Sequence, residues 1–352
     1  MSVWSCATCA NQYPDTSHPP DRCLICSDER QWVPPGGQRW TSVPELAALG
    51  HRSDIREVEA RLLGIGAAPS VGIGQRGLLV QTERGNLLWD PPGFIDDAAL
   101  DAVRRLGGLA AVTASHPHFY GTIVEWSRAF GAEILIPAAD RAWVTRPDPA
   151  IRLWTDRAEV LPGVAIIQCG GHFDGSAVLH WADGADGRGA LLAGDTIMVT
   201  PGEDRVTFLR SAPNRLPLPE SEVRRVLNAV DGLGYDRVYS GWWTPTVHQN
   251  AQSIVRQAGR RYIQWLTGEA LTSAAQPEGD GPAGTLRSAA GKVYRVRASR
   301  PPSSAPSVPP KLGRCQTPRR SLRAASTHPS ARASRSGSVP PRGRIHGTRY
   351  YG

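Results

Sequence analysis

Two groups of residues in this 352-residue chain have types and spacings that suit metal ions. The first is "CATC" followed by "CLIC", which sets Cys6, Cys9, Cys23 and Cys26 in a C-x2-C-x13-C-x2-C pattern. Each C-x-x-C turn places two sulfurs on one side of a tight loop, and two such loops make a tetrahedral S4 cage for Zn2+. A redox dithiol usually opens a helix in a βαβ context, whereas these cysteines lie in Pro-rich loop sequence, so a closed, structural ion is the better reading. Residues 1–45 have no core of their own, and the ion would supply much of their folding free energy. Cys169 and Cys315 stand outside the pattern, one as a core residue and one in a tail.

The second group opens in "ASHPHFYGTIVEW", residues 114–126. His116 and His118 follow an apolar run, and at the end of a strand residues i and i+2 point to the same face. His172, in "CGGHFDGS", again follows an apolar strand, with Gly170 and Gly171 allowing a tight turn. Asp195 ends "ALLAGD", where a buried carboxylate would be costly without a partner. These four are the expected ligands of one divalent ion. Three imidazoles leave a fourth position for a water whose pKa falls to roughly 7 on zinc. Asp195 then either hydrogen-bonds that water as a base or binds the ion and closes the shell. Tyr120 is a candidate catalytic group, placed to donate a proton or orient an oxyanion. Phe119, Tyr120, Trp242 and Trp243 form either an apolar substrate wall or core packing. His180 reads as a packed strand residue and His248 as a polar residue at a helix start; His18 and His51 carry no signal.

The elements that must position these side chains can be read from the pattern. "VEARLLGIG", "GLLVQT" and "NLLWD" read as successive strands, with "ERGN" as a hairpin turn. "LAAVTAS", "AEILIP", "VAIIQCGGH", "SAVLHWAD", "GALLAGD" and "DRVYSGW" are further strands. "IDDAALDAVRRLG", "GTIVEWSRAFG", "PESEVRRVLNAVDGLG" and "VHQNAQSIVRQAGRRYIQWLTG" carry apolar residues at helical spacing. Residues 209–223 read as a long loop lapping the site, through which Arg210, Ser211 and Asn214 either contact substrate or simply connect. An early meander of strands, then strands alternating with helices, predicts two sheets with helices outside, a layered α/β body over residues 46–268.

The body resembles the metallo-β-lactamase superfamily. "SHPHFYG" falls where that family has H-x-H-x-D-H, "GGHFDGS" where it has its third histidine, and "LLAGD" where it has its metal-bridging aspartate. "NLLWDPPGF" is similar to an early strand that ends in an acid, which places Asp90 near the site. The resemblance implies an αβ/βα sandwich with a metal site at one edge and hydrolysis by metal-activated water. It also implies a departure. The positions that hold a second ion in two-metal members read Tyr120, Gly121 and, in "YSGWW", Trp242, so one ion is expected at the histidines, Zn2+ or Fe2+. With the S4 zinc this makes about two ions per chain, each lost separately.

Charge separates the tail from the rest. Residues 281–352 hold 15 Lys and Arg and no Asp or Glu, which leaves 25 basic against 32 acidic side chains before them. A Ser-, Pro- and Arg-rich tail over 269–352 is expected to be disordered. Contact of its basic side chains with nucleic acid is the alternative to plain solvation, which the absence of interleaved aromatics favours. No run of about 18 apolar residues and no signal peptide is visible, so a cytoplasmic protein acting on a small molecule is expected. Three functions follow: a mononuclear metallo-hydrolase of an ester, thioester, amide or phosphoester; an iron oxidoreductase on the same fold; or a degenerate member that binds a partner.

Overall fold

The computed structural model describes residues 2–270; from residue 271 on, the expected basic tail lies outside the described residues. Strands β1 (Ser2–Cys6), β2 (Gln12–Thr16) and β3 (Trp40–Thr41) form a small antiparallel sheet in the order β2-β1-β3. After helix α1 (Val43–Ala48) come β4 (Arg52–Glu59), β5 (Leu62–Ala68), β6 (Gly77–Thr82) and β7 (Gly85–Trp89), an antiparallel meander. Helix α2 (Asp97–Arg105), β8 (Ala111–Thr113), α3 (Ile123–Phe130), β9 (Glu133–Pro137) and β10 (Ile151–Trp154) extend that sheet with parallel pairings.

The second half begins with β11 (Arg157–Leu161), β12 (Val164–Gln168), β13 (Ala177–Trp181) and β14 (Ala190–Leu192), all antiparallel. Two short hairpins follow, β15 (Met198–Val199) with β16 (Val206–Thr207), and β17 (Leu209–Ser211) with β18 (Leu216–Pro217). Helix α4 (Glu220–Val230), β19 (Arg237–Tyr239), β20 (Thr246–Val247) and α5 (Ala251–Thr267) complete the body. The sheets have the orders β10-β9-β8-β7-β6-β5-β4 and β11-β12-β13-β14-β19-β20.

Side-chain alternation explains the layering, because successive strand residues face opposite sides. Leu78, Val80, Leu87 and Trp89 of one sheet meet Ile166, Leu179, Trp181 and Leu192 of the other. Leu79, Leu88 and Val112 face Ala99, Val103 and Trp126 of α2 and α3. Val178, Leu191 and Val238 face Val223, Val226 and Val255 of α4 and α5. Both faces of each sheet are thus covered, which is why the central strands read as unbroken apolar runs.

Two sequence expectations change. "VEARLLGIG" is not one strand but the close of β4, a turn and β5, with Arg61 at φ 64° making the reversal. Residues 209–223 are not a bare loop but the β17–β18 hairpin running into α4. The four-cysteine segment does not stand apart: it belongs to the same compact unit as the body. Ala10, at φ 63°, presses its first C-x-x-C turn onto Gly72 and Gly93. A Cβ added at either glycine would stand 2.7 or 2.3 Å from the Ala10 Cβ, so neither position admits a side chain. Among the described residues no helix is long and apolar enough to cross a membrane.

Candidate metal centres

The S4 group forms within the small sheet. Cys6 ends β1, Cys9 and Ala10 make the turn into β2, and Cys23 and Cys26 sit on a loop that folds back over it. Cys6 and Cys26 Sγ lie 3.6 Å apart, as do Cys9 and Cys23. All four sulfurs are within 4.8 Å of one another and buried. Three polar groups donate to them: Gln38 Nε2 to Cys6 at 3.1 Å, Asn11 Nδ2 to Cys9 at 3.6 Å and the Tyr13 hydroxyl to Cys23 at 3.3 Å. Donors aimed at sulfur favour thiolates, the form that binds a cation. Sulfur neighbours Cys23 and Cys26 push the Cys6 thiol down, whereas burial pushes the Cys9 thiol up and Cys23 pushes the Cys26 thiol up.

The second group forms where strands of both sheets end at one edge. Strand β8 runs into Ser115 and His116; β12 and β14, which run in the same direction, deliver His172 and Asp195. His118 lies on a single turn of 3-10 helix, Pro117–Phe119, rather than on extended chain. The i, i+2 strand argument therefore reached the right pair by a different backbone. One donor atom each from His116, His118, His172 and Asp195 lies within 4.8 Å of the others. Asp195 Oδ2 is 3.5 Å from His116 Nε2 and 3.8 Å from His172 Nε2, and His118 Nδ1 is 3.2 Å from His172 Nε2.

Outward bonds orient the rings. Ser115 Oγ is 2.8 Å from His116 Nδ1, and the Leu209 carbonyl is 3.0 Å from His172 Nδ1. The Leu209 carbonyl can only accept, so His172 donates from Nδ1 and turns its Nε2 lone pair inward; the Ser115 hydroxyl can accept from His116 Nδ1 in the same way when His116 Nε2 is a ligand. Burial, and the other histidines nearby, hold His116 and His118 well below the usual imidazole range; burial brings His172 down to about 4. All three are therefore neutral ligand-type rings at pH 7. Burial, then the Asp90 charge, raises Asp195 to about 7, a cost that a cation would remove. His116 Nε2 and Asp195 Oδ1 are buried without a partner. The donor set and these orphaned atoms fit a divalent ion of the kind that imidazole and carboxylate hold, zinc or iron.

Asp90, at φ 55° beyond β7, stands beneath the cluster. Its Oδ1 accepts from the Ser115 N–H at 2.6 Å, so it braces the residue that orients His116. Burial raises it to about 7. Tyr120 is buried at the end of the 3-10 turn that carries His118. Its ring lies in the helix-side core with Phe119, and its hydroxyl has no partner. It lines a cavity of about 20 Å3 with Asn11, Val124 and Thr145. Trp242 packs against Phe119 at 5.7 Å, and Trp243 fills the space over Gly64 and Gly66. Of the two readings of these aromatics, core packing is the one the contacts support.

Other histidines lie elsewhere. His180 Nε2 is 2.8 Å from the Gly234 carbonyl, and His248 is exposed beside Glu203. Arg210, Ser211 and Asn214 turn to the four-cysteine segment: Arg210 pairs with Glu29 at 2.6 Å, Ser211 Oγ donates to the Arg30 carbonyl, and Asn214 Nδ2 donates to those of Glu29 and Gln31. Sequence reasoning missed Ser115, Asn11, Arg30 and Asp140. Adjacency to His116 and Cys9 was a signal for the first two; nothing marks Arg30 or Asp140.

No family model matches the sequence. The uncharacterized protein YmaE of Bacillus subtilis (strain 168) is 40% identical over 271 residues, 76% of this chain and 98% of its own. Among solved structures, VMB-1 aligns with a TM-score of 0.45 at 11% identity, covering 64% of this chain and 99% of its own. The metallo-beta-lactamase MIM-1 of Novosphingobium pentaromativorans gives 0.41 at 21%, over 63% and 92%. TTHA1623 in a di-iron-bound form gives 0.38 at 19%, over 49% and 89%. In this chain itself, two facing sheets are flanked by helices, and three histidines and an aspartate meet at one edge. With a relative matched over nearly its whole length, the chain belongs to the family of YmaE, and its layered α/β body carries a histidine–aspartate cluster together with a four-cysteine cluster.

Proposed function

We propose that this protein is a metal-dependent hydrolase with one ion held by His116, His118, His172 and Asp195. A divalent ion there supplies Lewis acidity, which activates water near neutral pH and polarises the oxygen of an ester, thioester, amide or phosphoester. The chain's own residues do the rest. Ser115 and the Leu209 carbonyl hold two imidazoles in the ligating tautomer. Asp195 turns Oδ2 to the histidines and keeps Oδ1 without a partner, so Oδ1 is the atom that accepts a proton from an attacking water. Burial of the cluster strengthens each of these interactions by excluding bulk water.

The observation that carries this reading is the convergence of the four donor atoms within 4.8 Å from three separate places in the chain. Metal analysis of the full chain should find two ions. Turnover of a panel of p-nitrophenyl esters, thioesters and phosphodiesters should be lost in His116→Ala and Asp195→Ala while the fold persists. A second ion with no turnover of any panel member would sink the hydrolase. Redox-active iron with oxygen-dependent turnover would replace it with an oxidoreductase.

A further inference from the structure

The two metal centres share a wall. Asn11, two residues after Cys9 and fully buried, donates Nδ2 to Cys9 Sγ at 3.6 Å and to the His118 carbonyl at 3.2 Å. From the other cysteine loop, Arg30 donates Nη1 to the His172 carbonyl at 3.4 Å. Its guanidinium lies over the Phe173 ring at 3.9 Å and the Trp143 ring at 5.0 Å. Asp28 grips the same guanidinium from behind, at 2.5 and 3.1 Å. Each cysteine loop therefore holds the backbone of one histidine-bearing loop. His116, in contrast, is held from within the body by Ser115 and Asp90.

We infer that Asn11 and Arg30 are positioning residues for the histidine metal, and that the two centres bind their ions cooperatively: an ion in the S4 cage raises the affinity of the histidine site. This rests on the reading of the histidines as a metal site. The physical argument is one of ordering. Apart from the cysteines, the S4 cluster buries Tyr13 and Ile25, with Trp4, Trp40, Ile73 and Trp143 packed against it half-buried, so an ion joining the four sulfurs would supply much of what fixes both loops. When the loops loosen, Asn11 and Arg30 leave. The His172 loop, with Gly170 at φ 72° and Gly171 at φ 86°, then regains backbone freedom that metal binding must remove again. Groups that orient ligands from outside the first coordination sphere are worth about 10- to 100-fold in metal affinity. Linkage makes the effect reciprocal, so the histidine ion also tightens the S4 ion.

Zinc alone, titrated into the full chain against a chromogenic chelator, tests this. Wild type should bind two ions. Asn11→Ala and Arg30→Met should each weaken the histidine site about 10-fold or more, Arg30→Met with the S4 ion still bound and Asn11→Ala with that ion weakened as well, because Asn11 also donates to Cys9 Sγ. Cobalt placed at the histidines should show altered visible bands in both variants, which a merely structural contact would not produce. Cys23→Ser should lose the first ion and weaken the second by at least as much. If both single variants hold the histidine ion as tightly as wild type, the coupling is overturned and the sites are independent. A wild-type chain that binds one ion only would overturn the metal reading of the histidines as well.

Discussion

The S4 centre and the histidine centre take opposite routes to a buried ligand cluster. The four sulfurs come from 21 consecutive residues, Cys6 to Cys26, and three side chains within residues 1–45 already donate to them. The histidine cluster draws on residues 116 to 195, and two of its buried polar atoms, His116 Nε2 and Asp195 Oδ1, have no hydrogen-bond partner. Charge differs too. Four thiolates over-neutralise a dication, whereas one carboxylate and three neutral imidazoles leave it net positive and electrophilic. On the proposed reading the first centre holds chain together, the second acts on a ligand, and the first braces the second.

The comparison can be broken hardest at the S4 cage. Cys23→Ser should unfold residues 1–45 selectively, because about 10 kcal/mol or more of ion binding there is folding free energy. Limited proteolysis should then cut within that segment while circular dichroism of the body persists. Cutting throughout the body instead would show that the two regions fold as one.

A second test concerns the missing second ion. Restoring the two-metal pattern with Tyr120→Asp and Gly121→His should not create a site. Gly121 is at φ 41°, and a Cβ there would stand 2.7 Å from the Pro91 carbonyl oxygen and 2.8 Å from that of Pro92. Strain and overpacking should cost about 4 kcal/mol in urea denaturation, with the metal count unchanged.

Asp140 sharpens the contrast by pH. It faces the His172 loop from the body side, where its Oδ1 accepts from the Gly175 N–H at 2.8 Å and Oδ2 has no partner. Burial raises it from 3.8 to about 7. Between those values the folded chain keeps a proton that the unfolded chain has lost, so stability falls as pH rises through the window. Asp140→Asn should therefore match wild type near pH 4 and exceed it by about 4 kcal/mol at pH 8. Equal midpoints at both pH values would remove the argument.

The smallest effect is expected at Ser115. Ser115→Ala removes the partner of His116 Nδ1 and should weaken the histidine ion about 10-fold, with the S4 ion untouched. Loss of both ions would mean that the distinction between the two centres has been drawn in the wrong place.

Both ligand sets were legible in the sequence, for different reasons. Cysteine spacing is a local geometric statement, since a C-x-x-C turn presents two sulfurs whatever the rest of the chain does. His116, His172 and Asp195 were legible because each follows an apolar strand, and strands that share a sheet edge bring their ends together. Apolar runs bounded by turn residues also revealed most of the sandwich, as every run from "GLLVQT" to "DRVYSGW" became a strand. Short, amphipathic β10 and β11 did not announce themselves, because edge strands carry few buried residues to mark a period.

Residue types and local spacing thus picked out by themselves two candidate sets of metal ligands, while the family resemblance implied that Tyr120 and Gly121 stand where a second ion would need an acid and a histidine. Only the tertiary structure decided that Tyr120 points into the core, that Gly121 admits no side chain, and that Asn11 and Arg30 reach the His118 and His172 carbonyls. The reason is physical. Spacing constrains atoms a few bonds apart, but a hydrogen bond across 107 or 142 residues exists only after two independently formed surfaces have been pressed together.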